Sequence, residues 1–180
     1  VLYPYNMEIF RKRLQENGLQ DQADAFHKAT ARFAALCYKA DIEMCLRTPG
    51  FGGFQLLDLQ DYPGQGSAYV GILDAFMDNK GGMAAEEFDG FCDEIVPLSV
   101  MSKYCWSNSE IFTAEIKLSN YSKEALSKKN LSWTLSKAHS NVNVARGEFP
   151  INISQGHLGE VGKIKVPLQD INTATKLVLT

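Results

Sequence analysis

Thr48-Pro49-Gly50-Phe51-Gly52-Gly53-Phe54-Gln55-Leu56-Leu57-Asp58-Leu59-Gln60-Asp61-Tyr62-Pro63-Gly64-Gln65-Gly66-Ser67 is the stretch whose reading decides the fold. Patterns before it are helical and patterns after it are β-like, and it gathers turn signals and polar side chains around one short apolar run. Pro49, Gly50, Gly52 and Gly53 end whatever precedes them. Gly53 to Leu59 then reads as an extended strand, with Phe54, Leu56, Asp58 and Gln60 on one face and Gln55, Leu57, Leu59 and Asp61 on the other. Both faces stay largely apolar until the C-terminal end, as in a parallel strand covered on both sides by helices. Polar groups gathered at that end are what an α/β active site needs, so Asp58 to Gln65 is the candidate site region.

Upstream, Asn6 to Asn17 carries Met7, Phe10 and Leu14 at helical spacing, Arg11, Lys12 and Arg13 outward, and Gly18 as a stop, which predicts a short amphipathic helix. From Asp21 to about Arg47, the apolar set Ala25, Phe26, Ala29, Phe33, Leu36, Cys37, Ala40 and Met44 recurs every three to four residues. Asp21 and Asp24 favour the start and Arg47 the end, giving a helix of roughly 40 Å at about 1.5 Å per residue. Pro49 cannot continue it.

Downstream, Tyr62 to Ser67 is a loop, Ala68 to Phe76 an apolar run, and Ala84 to Phe91 a short helix with Phe88 and Phe91 inward. Counting Phe76 as the first position of an EF-hand loop places Asp78, Gly81 and Glu87 at the third, sixth and twelfth. Phe at position one and Lys80 at position five defeat a Ca²⁺ cage, so a Gly-Gly turn into a helix is the better reading. Pro97 marks a change of character. Phe112, Ala114, Ile116 and Leu118 alternate with polar residues, as do Leu131, Trp133 and Leu135. Asn141 to Arg146, Glu148 to Ile153, Gly162 to Val166 and Lys176 to Leu179 follow between turn signals, the pattern of a β-sandwich. Asn120, Asn130 and Asn152 each begin an Asn-x-Ser sequon, to which no function is assigned.

With 45% hydrophobic and 22% charged residues among 180, the chain can bury one good core or two modest ones and belongs to the globular class. A net charge of −3 with scattered Lys and Arg argues against nucleic acid as a partner. No run of about 18 apolar residues exists to span a membrane. Cys37, Cys45, Cys92 and Cys105 have no CxxC spacing and read as buried thiols, and His139 and His157 as surface histidines, so no metal or cofactor is expected. The chain starts Val-Leu-Tyr-Pro with no Met and no charged-then-apolar leader, so residue 1 is expected to be a cut within a longer protein. Localisation stays open, being periplasmic or secreted if that longer protein carries a signal peptide.

Gly52 to Asp61, then Gly71-Ile72-Leu73-Asp74, then an alternating β region, resemble the C-terminal end of the catalytic barrel of family 2 glycoside hydrolases, the β-galactosidase and β-glucuronidase relatives. The resemblance covers nearly the whole chain and is most specific between Phe51 and Phe76. It implies an α+β fragment: residues 1–97 as the last helix, strand and helix of a (β/α)₈ barrel, and 98–180 as an immunoglobulin-like β-sandwich. It also implies a carbohydrate substrate, with Leu56, Asp58, Gln60 and Asp61 lining the sugar pocket. Relatives often carry Trp where Leu56 stands. A barrel needs about 250 residues, and the family's two catalytic glutamates lie on earlier strands. Neither is matched by Glu8, Glu16 or Glu43, so no catalytic residue is expected here, and the retaining reaction needs that carboxylate pair about 5 Å apart.

The alternative is a noncatalytic carbohydrate-binding or interaction module, with Trp106, Trp133 and Tyr121 as an aromatic platform. Aromatics at strand spacing are more often core, and Trp133 fits the core alternation.

Overall fold

A 24-residue helix dominates the first half of the chain. The structure, a computed structural model, describes residue 3 and residues 5–65, 69–140 and 142–180. Val1, Leu2 and Pro4 of the opening segment, Gly66 and Ser67 of the expected loop, Ala68 of the apolar run and Asn141 at the start of an expected strand lie outside the described residues. Helix α1 spans Tyr5–Glu16 and α2 Ala23–Leu46, joined by a 3₁₀ turn at Gln20–Gln22. Gly18, with φ 65°, closes α1: its N–H donates to Gln15 O (3.0 Å) and that of Leu19 to Leu14 O (2.8 Å). These two bonds satisfy carbonyls that the helix end would otherwise orphan.

The chain forms two compact units, residues 1–45 with 52–92 and residues 46–51 with 93–180. In the first, α2 buries Ala35 and Ile42, with Ala31 and Tyr38 partly buried beside them. The stripe expected to face a core is on the other side. Phe26, Phe33, Leu36 and Met44 are 42%, 68%, 45% and 57% exposed, and Cys37 is exposed too. At 3.6 residues per turn, Phe26, Phe33 and Met44 lie about 180° from Ala35 and Ile42. Small residues explain which face is covered. A Cβ on Gly82 would meet Ala31 O at 2.9 Å, so the segment after Asn79 lies directly on the helix backbone. Phe91, fully buried, and Met83 complete this small core, with Phe88 edge-on to Phe91 at 5.1 Å. Helix α3, Ala85–Asp89, is held to α2 by Arg32, which donates to Glu87 through both guanidinium ends at 2.7 and 2.6 Å.

Gly53 to Leu59 is not a strand. The first ladder contact is a single parallel bridge between Gln60 and Leu73, made by Asp61 N to Leu73 O and Leu73 N to Leu59 O, each 3.0 Å. Positive φ at Gly53 (135°) and at Asp58 (62°) turns the chain twice, and among the described residues no strand lies alongside to pair with it. The two-face alternation inferred for Phe54 through Asp61 therefore does not hold. Nor are the cysteines buried: Cys37 and Cys105 are exposed and Cys45 and Cys92 partly so.

The second unit is antiparallel β, so the chain as a whole is α+β. Strands β1 (Ile95–Val100), β2 (Ile111–Asn120) and β5 (His157–Pro167) form one sheet in the order β1-β2-β5. Strands β3 (Leu126–Lys137), β4 (Asn143–Ile153) and β6 (Leu177–Leu179) form another, ordered β4-β3-β6. Phe112, Ala114 and Ile116 of β2, Ile164 and Val166 of β5, and Leu135 of β3 share one buried cluster, so the two sheets are joined by a common core. β1 was not foreseen, because Pro97 stands within it. Its place at a sheet edge removes the objection, since an edge strand tolerates a missing N–H. The two strands expected on either side of Gly147 are one, β4, and a Cβ at Gly147 would collide with the Trp133 ring at 2.8 Å.

Ile42→Ala should lower stability by about 2–5 kcal/mol, as loss of a buried aliphatic side chain does. Phe33→Ser, on the opposite face of the same helix, should change it by no more than about 0.5 kcal/mol. Urea unfolding of the two variants checks which face of α2 is covered.

Candidate functional site

The polar residues of the first unit gather where the segment after Gly53 meets α2. Asp61 is 7% exposed, and its Oδ1 accepts Gly71 N–H at 2.9 Å. Lys80 Nζ donates to both Asp61 oxygens (2.8 and 3.0 Å) and to Gly71 O (3.0 Å). A Cβ at Gly71 would lie 2.4 Å from the Gln60 backbone, so only glycine lets the two segments approach this closely. Both carboxylate oxygens of Asp61 are thus engaged internally, which makes it a structural anchor and leaves little of it for a ligand.

Asp58, three residues earlier, is partly exposed, and among the described residues its carboxylate has no hydrogen bond or ion pair. A left-handed backbone at a non-glycine residue costs on the order of 1 kcal/mol or more and tends to mark functional sites. The Tyr38 hydroxyl donates to Val70 O (3.2 Å) and more weakly to Asp58 O (3.5 Å). Burial raises the Tyr38 hydroxyl above the ordinary phenol range, and the negative charges of Asp58 and Asp61 add to the rise. Tyr38 therefore stays protonated and a donor at neutral pH. Gln60 is exposed beyond the bridge to Leu73, and Leu56 is partly buried while Leu57 is 78% exposed. A cavity of about 250 Å³ adjoins this cluster, lined by His27, Thr30, Tyr38, Val70 and Lys80 among others.

The structure therefore brings Asp58 and Gln60 into one neighbourhood and commits Asp61 to holding the loop. Two members were missed by sequence reasoning. Lys80 was noticed only as a cation that spoils a Ca²⁺ loop, and nothing local joins it to Asp61. Tyr38 sits on the Ala31/Ala35 face of α2, and an aromatic among small residues on one helical face was the available signal.

The loop tested for Ca²⁺ is closed by its own side chains: Asp74 Oδ1 accepts Phe76 N–H and Asp78 N–H (2.8 and 2.9 Å), and Asn79 Oδ1 accepts Gly81 N–H (2.6 Å). Among the described residues no group of three or more His, Cys, Asp or Glu side chains could hold a metal ion, and no helix is long and apolar enough to cross a membrane. Glu8 and Glu16 lie on α1 and Glu43 on α2, as their patterns implied. The aromatics considered as a sugar platform are separate. Trp133 stacks on Phe149 inside the β core, Trp106 packs edge-on against Phe112, and the Tyr121 hydroxyl donates to Phe51 O. Asn120, first of the sequons, is fully buried, its amide donating to Glu124 O, Ile153 O and Ser154 O.

A family model described as a domain of unknown function (DUF8488) matches residues 110–180, which is the second unit from β2 to the last residue and less than half of the chain. No curated protein matches the chain.

Asp61→Ala, by stranding the Lys80 ammonium, should destabilise by about 3–5 kcal/mol, whereas Asp58→Asn should leave the thermal midpoint nearly unchanged. Thermal unfolding of both checks the division of labour. Arg32 holds the Glu87 carboxyl below the usual carboxylate range, chiefly through its hydrogen bonds. A depressed pKa gives stability that is present above the unfolded value, about 4.3, and lost as pH falls through the folded one. Between pH 5 and pH 3, Glu87→Gln should therefore lose less stability than wild type. The pair is nearly half exposed and screened, so the difference is at most about 1 kcal/mol.

Proposed function

We propose that this chain is the C-terminal part of a glycoside hydrolase related to family 2, acting on O-glycosidic bonds, in which residues 1–97 close a (β/α)₈ barrel and 98–180 form an immunoglobulin-like sandwich. The observation that carries the reading is the second face of α2. Phe26, Phe33, Leu36 and Met44 form an apolar stripe that is exposed in this structure, and Phe54, Leu57 and Leu59 of the following extended segment are exposed as well. A helix apolar on both sides belongs inside a larger assembly. An outer barrel helix whose second face is covered by a further part of the parent protein, followed by a strand whose ladder partners lie elsewhere in the barrel, would have this character.

The Gly52–Asp61 and Gly71–Asp74 motifs support the same reading through their resemblance to that family, and the two sheets with chain crossings between them suit a sandwich of the immunoglobulin kind. In this reading Asp58 and Gln60 receive sugar hydroxyls beside Tyr38, Leu56 borders the pocket, and Asp61 holds the loop that carries them. Both catalytic glutamates come from other strands of the barrel.

The test is made in two steps. The 180-residue chain alone should release no nitrophenol from aryl β-glycosides above a heat-treated control, and clear turnover would contradict the absence of catalytic carboxylates. In a protein containing the whole barrel, Asp58→Asn should lower kcat/KM by about tenfold or more, at least about 1.4 kcal/mol of transition-state stabilisation, with little change in melting temperature. Normal kinetics with a lowered melting temperature would assign Asp58 to folding instead.

A further inference from the structure

The second unit holds a cavity of about 610 Å³ whose floor is the core itself: Phe112, Leu135 and Leu168 are buried, and Leu177 and Leu179 of β6 are packed against the same cluster. Trp106 also lines this cavity, and its Nε1–H is buried with no acceptor among the described residues. A buried donor without a partner costs free energy until something accepts from it. A cavity of this size, lined by apolar side chains and by polar ones such as Asn108, Asn172, Thr173 and Thr175, has the dimensions of a ligand site.

β6 supplies the second observation. It pairs with β3 on one side, where Thr134 and Thr180 exchange N–H···O bonds of 2.8 and 2.9 Å and Ala138 N–H donates to Lys176 O at 2.8 Å. In an antiparallel ladder the bonding direction alternates along the strand, so the N–H and C=O groups of Leu177 and Leu179 point away from β3. Among the described residues no strand pairs with β6 on that side. The same two residues that turn their side chains to the cavity thus turn their backbone groups to an open edge.

We infer that this edge and cavity together are a docking site for one extended polypeptide strand from outside residues 1–180, with alternating apolar side chains and a flanking acidic residue. Addition to β6 would satisfy the Leu177 and Leu179 backbone groups, every second side chain would enter the cavity, and a strand of about six residues would span about 20 Å. The charge of the rim selects the flank. Lys176 lines the cavity and is exposed, with no acidic partner among the described residues, while Lys103 is already paired with Glu110. The inference is independent of the barrel reading, since it rests on the second unit alone.

The probe is the synthetic peptide acetyl-DVTVTVT-amide, titrated into the unmodified 180-residue protein. Amide hydrogen exchange should slow at least tenfold at Leu177 and Leu179 on saturation, while amides in the interior of β2 change little. Two further peptides are N-methylated on alternate residues, one on the valines and one on the threonines. One of the two should bind at least tenfold more weakly than the parent peptide and the other nearly as well, because only one set of amides can face β6. No binding up to 1 mM, equal binding by both methylated peptides, or unchanged exchange at Leu177 and Leu179 would each overturn the proposal.

Discussion

A buried carboxylate must keep its counter-charge close, and in the first unit the Asp61–Lys80 pair meets that demand in a way that places most of its neighbours. Lys80 Nζ reaches both Asp61 oxygens and the Gly71 carbonyl, and Asp61 in turn takes the Gly71 N–H. Gly71 and Lys80 are thereby held against Asp61. The returning chain brings Leu73 beside Gln60 and Gly82 down onto Ala31 of α2. Asp58, in its left-handed conformation beneath the Tyr38 hydroxyl, takes its position from the same contacts. Removing either charge would release the loop, the bridge and the site residues together.

The second unit depends on a different buried polar group. Asn120 is fully enclosed and uses its side chain completely: the amide donates to three carbonyls, and Oδ1 accepts from the N–H and hydroxyl of Ser122. Those bonds tie the turn after β2 to the turn between β4 and β5, while Leu118, Leu126, Ile151 and Ile153 cluster beside them. A buried network with every member satisfied rigidifies its surroundings. The contrast is at Trp106, whose buried indole N–H finds no partner among the described residues, beside a cavity and an open strand edge.

Two apolar surfaces of different kinds therefore coexist in this chain. On α2 the exposed stripe is convex and runs along a helix. In the β unit the apolar surface is concave and lies beside unpaired backbone groups, suited to an added strand. Chemistry separates the occupants: side-chain packing alone would cover the first, whereas the second also calls for N–H and C=O groups spaced along an extended backbone.

Local pattern determined much of this by itself. Period-two alternation located the inward residues of β2, because a strand's side chains alternate whatever its partner is, and helical spacing with Gly18 and Pro49 located α1 and α2, because those residues act on the backbone at their own positions. The candidate site was legible as a region, since turn residues and polar side chains cluster there. Only tertiary structure decided the rest. Both faces of α2 carry apolar residues, so periodicity could not say which is covered; the close approach of Gly82 and Ala31 did. Gly53 to Leu59 is extended in composition, but a strand exists only through a neighbour's hydrogen bonds, and the described residues provide no ladder bond before the one at Leu59. Asp61 and Asp58 look alike in sequence. Their roles part because Lys80, nineteen positions away from Asp61, comes to one of them and not to the other.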